Sequence, residues 1–119
     1  MQPDPKDMAR LWDMLDAAKN ILEFIKDRNY EEFLNDRMLK SAVERNLEII
    51  GEAARNVSIE SRERSPEIPW KSIIGLRNVI AHEYGEILYE RLWIICNREL
   101  MELIKILKQM GVEDASQQE

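Results

Sequence analysis

The sequence predicts an all-α protein: one domain over residues 1–119, built as an up-and-down bundle of four to five helices that dimerises. Three observations predict it. Glycine and proline are scarce, four of each in 119 residues. Leu, Ile, Met, Ala, Glu, Lys and Arg dominate, and these favour helix, whereas the β-branched and aromatic clusters that mark strands are mostly missing. Apolar residues also recur at alternating spacings of three and four, the signature of one helix face. A chain of this length buries a real but shallow core, which pairing with a second copy would complete.

The first helix is expected to start near Pro5, with Asp4 as its N-cap and proline in the first turn. Its stripe runs Met8, Leu11, Leu15, Ala18, Leu22 and Ile25, and fades over Lys26–Asn29. Tyr30 to Leu34 reads as a short helical link. A second helix follows, capped near Asn35 or Asp36, with the stripe Leu39, Val43, Leu47, Ile50, Ala54 and Val57. Gly51 interrupts it at a cost of about 1 kcal/mol relative to Ala; close approach of a neighbouring helix explains its presence. Ser58 to Ser65 reads as a short helix or loop. Pro69 and Trp70 open a third major helix with Ile73, Leu76 and Ile80 on its core face, which Glu83–Glu86 ends or bends. The last helix covers roughly Leu88 to Met110 on the stripe Leu92, Cys96, Leu100, Leu103, Leu107 and Met110. Trp93, Ile94, Met101 and Ile104 widen that stripe, as expected of a helix serving both core and partner. Gly111 is a natural stop. Residues 1–5 and 112–119 read as disordered tails.

The formal net charge is −6. A general duplex-coating protein carries a basic surface, so that class is excluded, while a local cationic site is not. Arg55, Arg62, Arg64, Lys71 and Arg77 make one mildly basic stretch. The single cysteine, Cys96, forms neither an intrachain disulfide nor a zinc site by itself, and in an apolar run it reads as a buried thiol. The N-terminus has no apolar signal core and no stretch reaches the length of a membrane span, so a cytoplasmic protein without cofactor or metal is expected.

The chemistry concentrates at Leu76-Arg77-Asn78-Val79-Ile80-Ala81-His82-Glu83-Tyr84. His82 is the only histidine, the side chain that most readily exchanges protons near neutral pH. On one continuous helix Asn78 and His82 share a face, and Arg77 and Tyr84, seven apart, nearly do. Arg77 and His82 are five apart and diverge. They meet only if the helix bends near Ala81 or a second subunit supplies its own copies.

Arg77, four residues, His82, one residue and Tyr84 form a pattern that resembles the R-x4-H-x-Y motif of HepT toxins, in the HEPN superfamily of helical ribonucleases. Glu44–Ala53, Ile68-Pro69-Trp70 and Ile74–Tyr84 carry the rest of the resemblance, which runs from about Leu11 to Leu107. It implies a HEPN-like dimer that places both copies of Arg77 and His82 in one cleft. It also implies a partner, an MNT-type nucleotidyltransferase antitoxin that adds AMP to the motif tyrosine, Tyr84. The implied activity is metal-independent RNA cleavage by 2′-OH attack. His82 would serve as base and acid. Arg77 would meet the phosphorane charge, and Asn78 would donate to phosphate or orient His82.

Plainer readings stand beside these. Arg77 pairs with Glu48 or Glu52; those two acids, one turn apart, support Arg77 rather than hold a metal; Tyr84 is an unmodified helix-end aromatic; Trp70 and Trp93 belong to the core or an interface. A non-catalytic HEPN-like module binding nucleotides or a partner is the alternative function, and a purely structural dimerisation bundle a third. The RNA target and cleavage site are not written in the sequence.

Overall fold

A computed structural model describes residues 3–112. Helix α1 spans Pro5–Ile25, and the Asp4 carboxylate caps it by accepting from the Lys6 and Asp7 N–H groups at 2.9 and 3.0 Å. Helix α2 spans Tyr30–Asn35 behind a reciprocal capping box between Asn29 and Glu32. Helix α3, Arg37–Arg55, is capped by Asp36, whose carboxyl lies below its ordinary value through the Leu39 N–H it accepts. Helix α4 is Ile59–Arg64. Among the described residues there is no strand.

Two expectations are corrected here. The third major helix is not continuous. It breaks at Gly75 into α5, Trp70–Ile74, and α6, Leu76–His82, because Gly75 takes a ψ of −9°, well short of the helical value. Ile80, expected on the core face, is only partly buried. The last helix starts earlier than expected and is not uniformly α. Helix α7, Gly85–Ile94, passes through a π-helical segment, Ile95–Glu99, into α8, Leu100–Gln109. The apolar spacing accounts for this: Leu88, Leu92, Cys96 and Leu100 recur every four residues and all are buried. A repeat of four overshoots a 3.6-residue turn by about 40° each time. The wider π turn absorbs that drift and keeps the stripe inward.

Helix α3 is the centre of the bundle, with α1 along one side and α5 and α6 along another; α8 packs on α1, and α2 sits between α3 and α7. The core runs through Leu11, Leu15, Ile21, Val43, Leu47, Ile50, Leu92 and Leu107. Phe33 anchors α2, stacking on Trp93 at 5.0 Å and meeting Tyr89 edge-on at 5.9 Å. Trp70 is buried and donates its indole N–H to the Ser65 carbonyl at 3.0 Å. Both tryptophans are thus packing residues. Cys96 is fully buried, which pushes its thiol up to about 12.

A long-range polar knot ties the ends of the chain's first half together. Asp7, buried in α1, accepts from the Ser58 N–H at 2.9 Å, the Ser58 hydroxyl at 2.6 Å and the Ser61 hydroxyl at 2.5 Å. Arg62 in α4 donates to the Val57 and Arg55 carbonyls, satisfying the open C-terminal end of α3. Of the tails expected at 1–5 and 112–119, Asp4 and Pro5 cap and open α1. Val112 is buried and bonds back to the Leu107 carbonyl across Gly111. Residues 1–2 and 113–119 lie outside the described residues.

Candidate active site

The close approach of α5, which leads into α6, is permitted by Gly51. A Cβ built there would stand 2.9 Å from the Ile73 carbonyl oxygen. No other residue lets the α5 backbone approach α3 so closely. Leu76 is buried and Val79 and Ile80 face the core in part, which leaves Arg77, Asn78, Ala81 and His82 exposed on α6.

Arg77 reaches back across this contact. Its guanidinium lies 3.6 Å from the Glu52 carboxylate, with the two side chains 66% and 52% exposed. Of Glu48 and Glu52, Glu52 makes the contact. An exposed pair of this kind contributes roughly 0–1 kcal/mol. It holds Arg77 at rest without committing it.

Helix α6 continues unbent to His82, its last residue. Arg77 and His82 therefore diverge by about 140° around the helix, at a separation along its axis of roughly 7.5 Å. Asn78 and His82 share a face, as expected. Tyr84 does not lie on this helix, which corrects its expected alignment with Arg77. The chain turns extended at Glu83 (φ −99°, ψ 150°) and at Tyr84 (φ −134°, ψ 156°). It then enters α7 at Gly85 with φ +67°, a conformation glycine adopts freely and L side chains rarely do. Tyr84 is 79% exposed at this corner.

One charge pair spans the corner and was not apparent from the sequence. Arg91, two turns into α7, donates to the Glu83 carboxylate at 2.5 Å. The eight-residue spacing crosses a break between helices, so no helical periodicity announces it. The Asp7 knot is likewise invisible to local pattern, since its partners lie 51 and 54 residues away.

A cavity of about 300 Å³ opens elsewhere, among Ile50, Ile73, Leu76, Arg98, Leu103 and Ile106, and none of the four candidate residues lines it. Among the described residues, no group of three or more His, Cys, Asp or Glu is placed to hold a metal ion. No helix there is long and apolar enough to cross a membrane.

A helical bundle presenting Arg, Asn and His on one short exposed helix, with a Tyr at the next corner, has the groups a phosphodiester-handling protein needs. Comparison with known proteins gives this class a family. The family model described as ribonuclease HepT-like matches residues 14–110. Two proteins of Methanocaldococcus jannaschii named "Putative RNase", MJ1380 and MJ0127, are 44% identical over 97 residues and 37% identical over 110. These matches cover 82% and 89% of this chain and 89% and 91% of those proteins. "Probable ribonuclease HepT" of Thermococcus cleftensis is 37% identical over 83 residues, covering 70% of this chain and 76% of that protein. No solved structure gives a significant match. The chain belongs to the HepT-like ribonuclease family.

Proposed function

We propose that this HepT-like ribonuclease is the toxin of a toxin–antitoxin pair, a homodimer that cleaves RNA internally without a metal. The observation that carries the reading is the exposure of Arg77, Asn78 and His82 together on α6, with Arg77 held only by a weak pair to Glu52. A structural arginine would be buried or tightly bonded, whereas this one is free to exchange Glu52 for a phosphate.

In this mechanism His82 accepts the proton of a ribose 2′-OH, and the 2′-oxygen attacks the adjacent phosphorus. The bond to the 5′-oxygen breaks as His82 of a second copy protonates it. Arg77 meets the charge of the phosphorane with two parallel N–H bonds, which lysine does not provide. Asn78 donates to a phosphate oxygen or orients His82. The 140° divergence of Arg77 and His82 within one copy is the reason for the second copy. Exposed Ile87 and Ile94, seven apart on α7, offer an apolar face for association.

Tyr84 is the proposed control point. A partner nucleotidyltransferase would transfer AMP from ATP to its phenol oxygen with loss of pyrophosphate. The added phosphodiester would compete with RNA for the site's cations, and its nucleoside would block the corner. High exposure of Tyr84 supports this, since the acceptor oxygen is reachable without unfolding.

The test of the mechanism is cleavage of a short single-stranded RNA in excess EDTA, with the product ends determined. Internal 2′-OH attack leaves a 2′,3′-cyclic phosphate and a 5′-hydroxyl. Activity that chelation abolishes, or 3′-hydroxyl ends, would contradict it.

A further inference from the structure

Glu83 stands between His82 and Tyr84, and its carboxylate is the side-chain bond across the α6–α7 corner. One oxygen accepts from Arg91 at 2.5 Å. The other is shut off from solvent with no hydrogen-bond partner. The Glu83 side chain is only 29% exposed, so its charge is compensated chiefly by Arg91. Core packing flanks the corner at Val79, Ile80 and Leu88 but does not reach into it. The Glu83 N–H closes the last turn of α6 on the Val79 carbonyl at 2.9 Å. Helix α7 begins with no side-chain cap, and its first residue, Gly85, has a positive φ. The end of α6, at His82, is therefore tied to α7 by the Glu83–Arg91 bond.

We propose that Glu83 and Arg91 are positioning residues of the ribonuclease site, a clamp that orients His82 and Tyr84 by locking the corner between α6 and α7. The inference rests on the reading of His82 as the proton-transfer group. Catalytic geometry is sensitive to displacements near 1 Å, which cost up to about 100-fold in rate. A half-buried carboxylate deprived of its cation moves toward water and carries the corner with it. Arg91 itself is 55% exposed on α7, so its removal leaves the core untouched.

The experiment compares wild type, Arg91→Ala, Glu83→Gln and the exchanged pair Glu83→Arg/Arg91→Glu. Steady-state RNA cleavage is read as kcat and KM separately. Because His82 is the only histidine, its Cε1–H gives one assignable NMR signal that reports its surroundings without reference to activity. Each single variant is expected to lose on the order of 10-fold in kcat with KM nearly unchanged, and to shift the His82 signal. The exchanged pair is expected to restore both. An unchanged kcat and unchanged His82 signal in Arg91→Ala would overturn the proposal. So would KM falling in Glu83→Gln and rising in Arg91→Ala at constant kcat, which marks Glu83 as a mere charge near the RNA. If His82→Ala cleaves like wild type, the catalytic reading falls separately, and the His82 signal still decides whether the clamp sets the imidazole's surroundings.

Discussion

The carboxylate of Glu52 lies 3.6 Å from the guanidinium of Arg77, across the contact that its neighbour Gly51 makes possible. The residue that admits the α5 backbone and the residue that holds the site arginine are consecutive on α3. Substituting Gly51 by Ala sets two effects against each other. Helix propensity gains about 1 kcal/mol. Against that, a Cβ 2.9 Å from a backbone carbonyl forces α5 away, and overpacking of this kind costs about 1–3 kcal/mol. The carbonyl is backbone and has no rotamer to change, so the clash wins. Gly51→Ala is expected to lower stability by about 1 kcal/mol in urea unfolding and to weaken RNA cleavage as Arg77 shifts. A more stable variant with full activity would show that the close approach is incidental.

Asp7 makes stability depend on acid. Burial alone would raise its carboxyl, but the Ser58 and Ser61 hydroxyls, the Ser58 N–H and the Arg62 charge together hold it below its ordinary 3.8. A depressed folded value means stability that is present above the ordinary value and lost as pH falls through the folded one. Asp7→Asn keeps the shape but turns an acceptor into a donor against Ser58. It is expected to cost about 1–3 kcal/mol near neutral pH. That difference from wild type is expected to shrink below about pH 4, as read by denaturant melts across pH. A difference independent of pH would contradict the assignment.

Association is expected to run through the exposed apolar face of α7, at Ile87 and Ile94. Wild type is predicted to scatter light with the mass of a dimer at micromolar concentration. Ile94→Asp is predicted to yield a folded monomer that has lost RNA cleavage, because each cleft then lacks the second copy's residues. A monomeric wild type with full activity would contradict the shared site.

Tyr84→Phe retains the ring and removes the acceptor oxygen. It is expected to cleave RNA nearly as wild type does, and to resist silencing by a partner nucleotidyltransferase with ATP. Intact-mass spectra are expected to show adenylate increments on wild type and none on the variant. Equal modification of both would place the switch elsewhere.

The fold was largely legible because it rests on local signals. The 3–4 stripes located α1 and α3, Asp4 and Gly111 marked two helix ends, and Gly51 announced a close approach. The candidate residues were legible as a motif on α6. Their geometry was not. Periodicity puts Tyr84 nearly on the face of Arg77, because it does not show that Gly85 restarts the chain at positive φ. The π segment was written in the repeat of four from Leu88 to Leu100, but that repeat also reads as an ordinary stripe. The Glu83–Arg91 bond and the Asp7 knot depend on tertiary packing, which no local window contains.

The central claim is that exposed His82 and Arg77 perform the cleavage rather than decorate the surface. The most direct measurement is RNA cleavage by His82→Ala and Arg77→Ala alongside wild type in EDTA, with circular dichroism confirming that all three are equally helical. The account predicts that each substitution lowers kcat at least about 100-fold with the fold intact, in keeping with lost proton transfer and lost phosphorane stabilisation. Cleavage by either variant at the wild-type rate would contradict it.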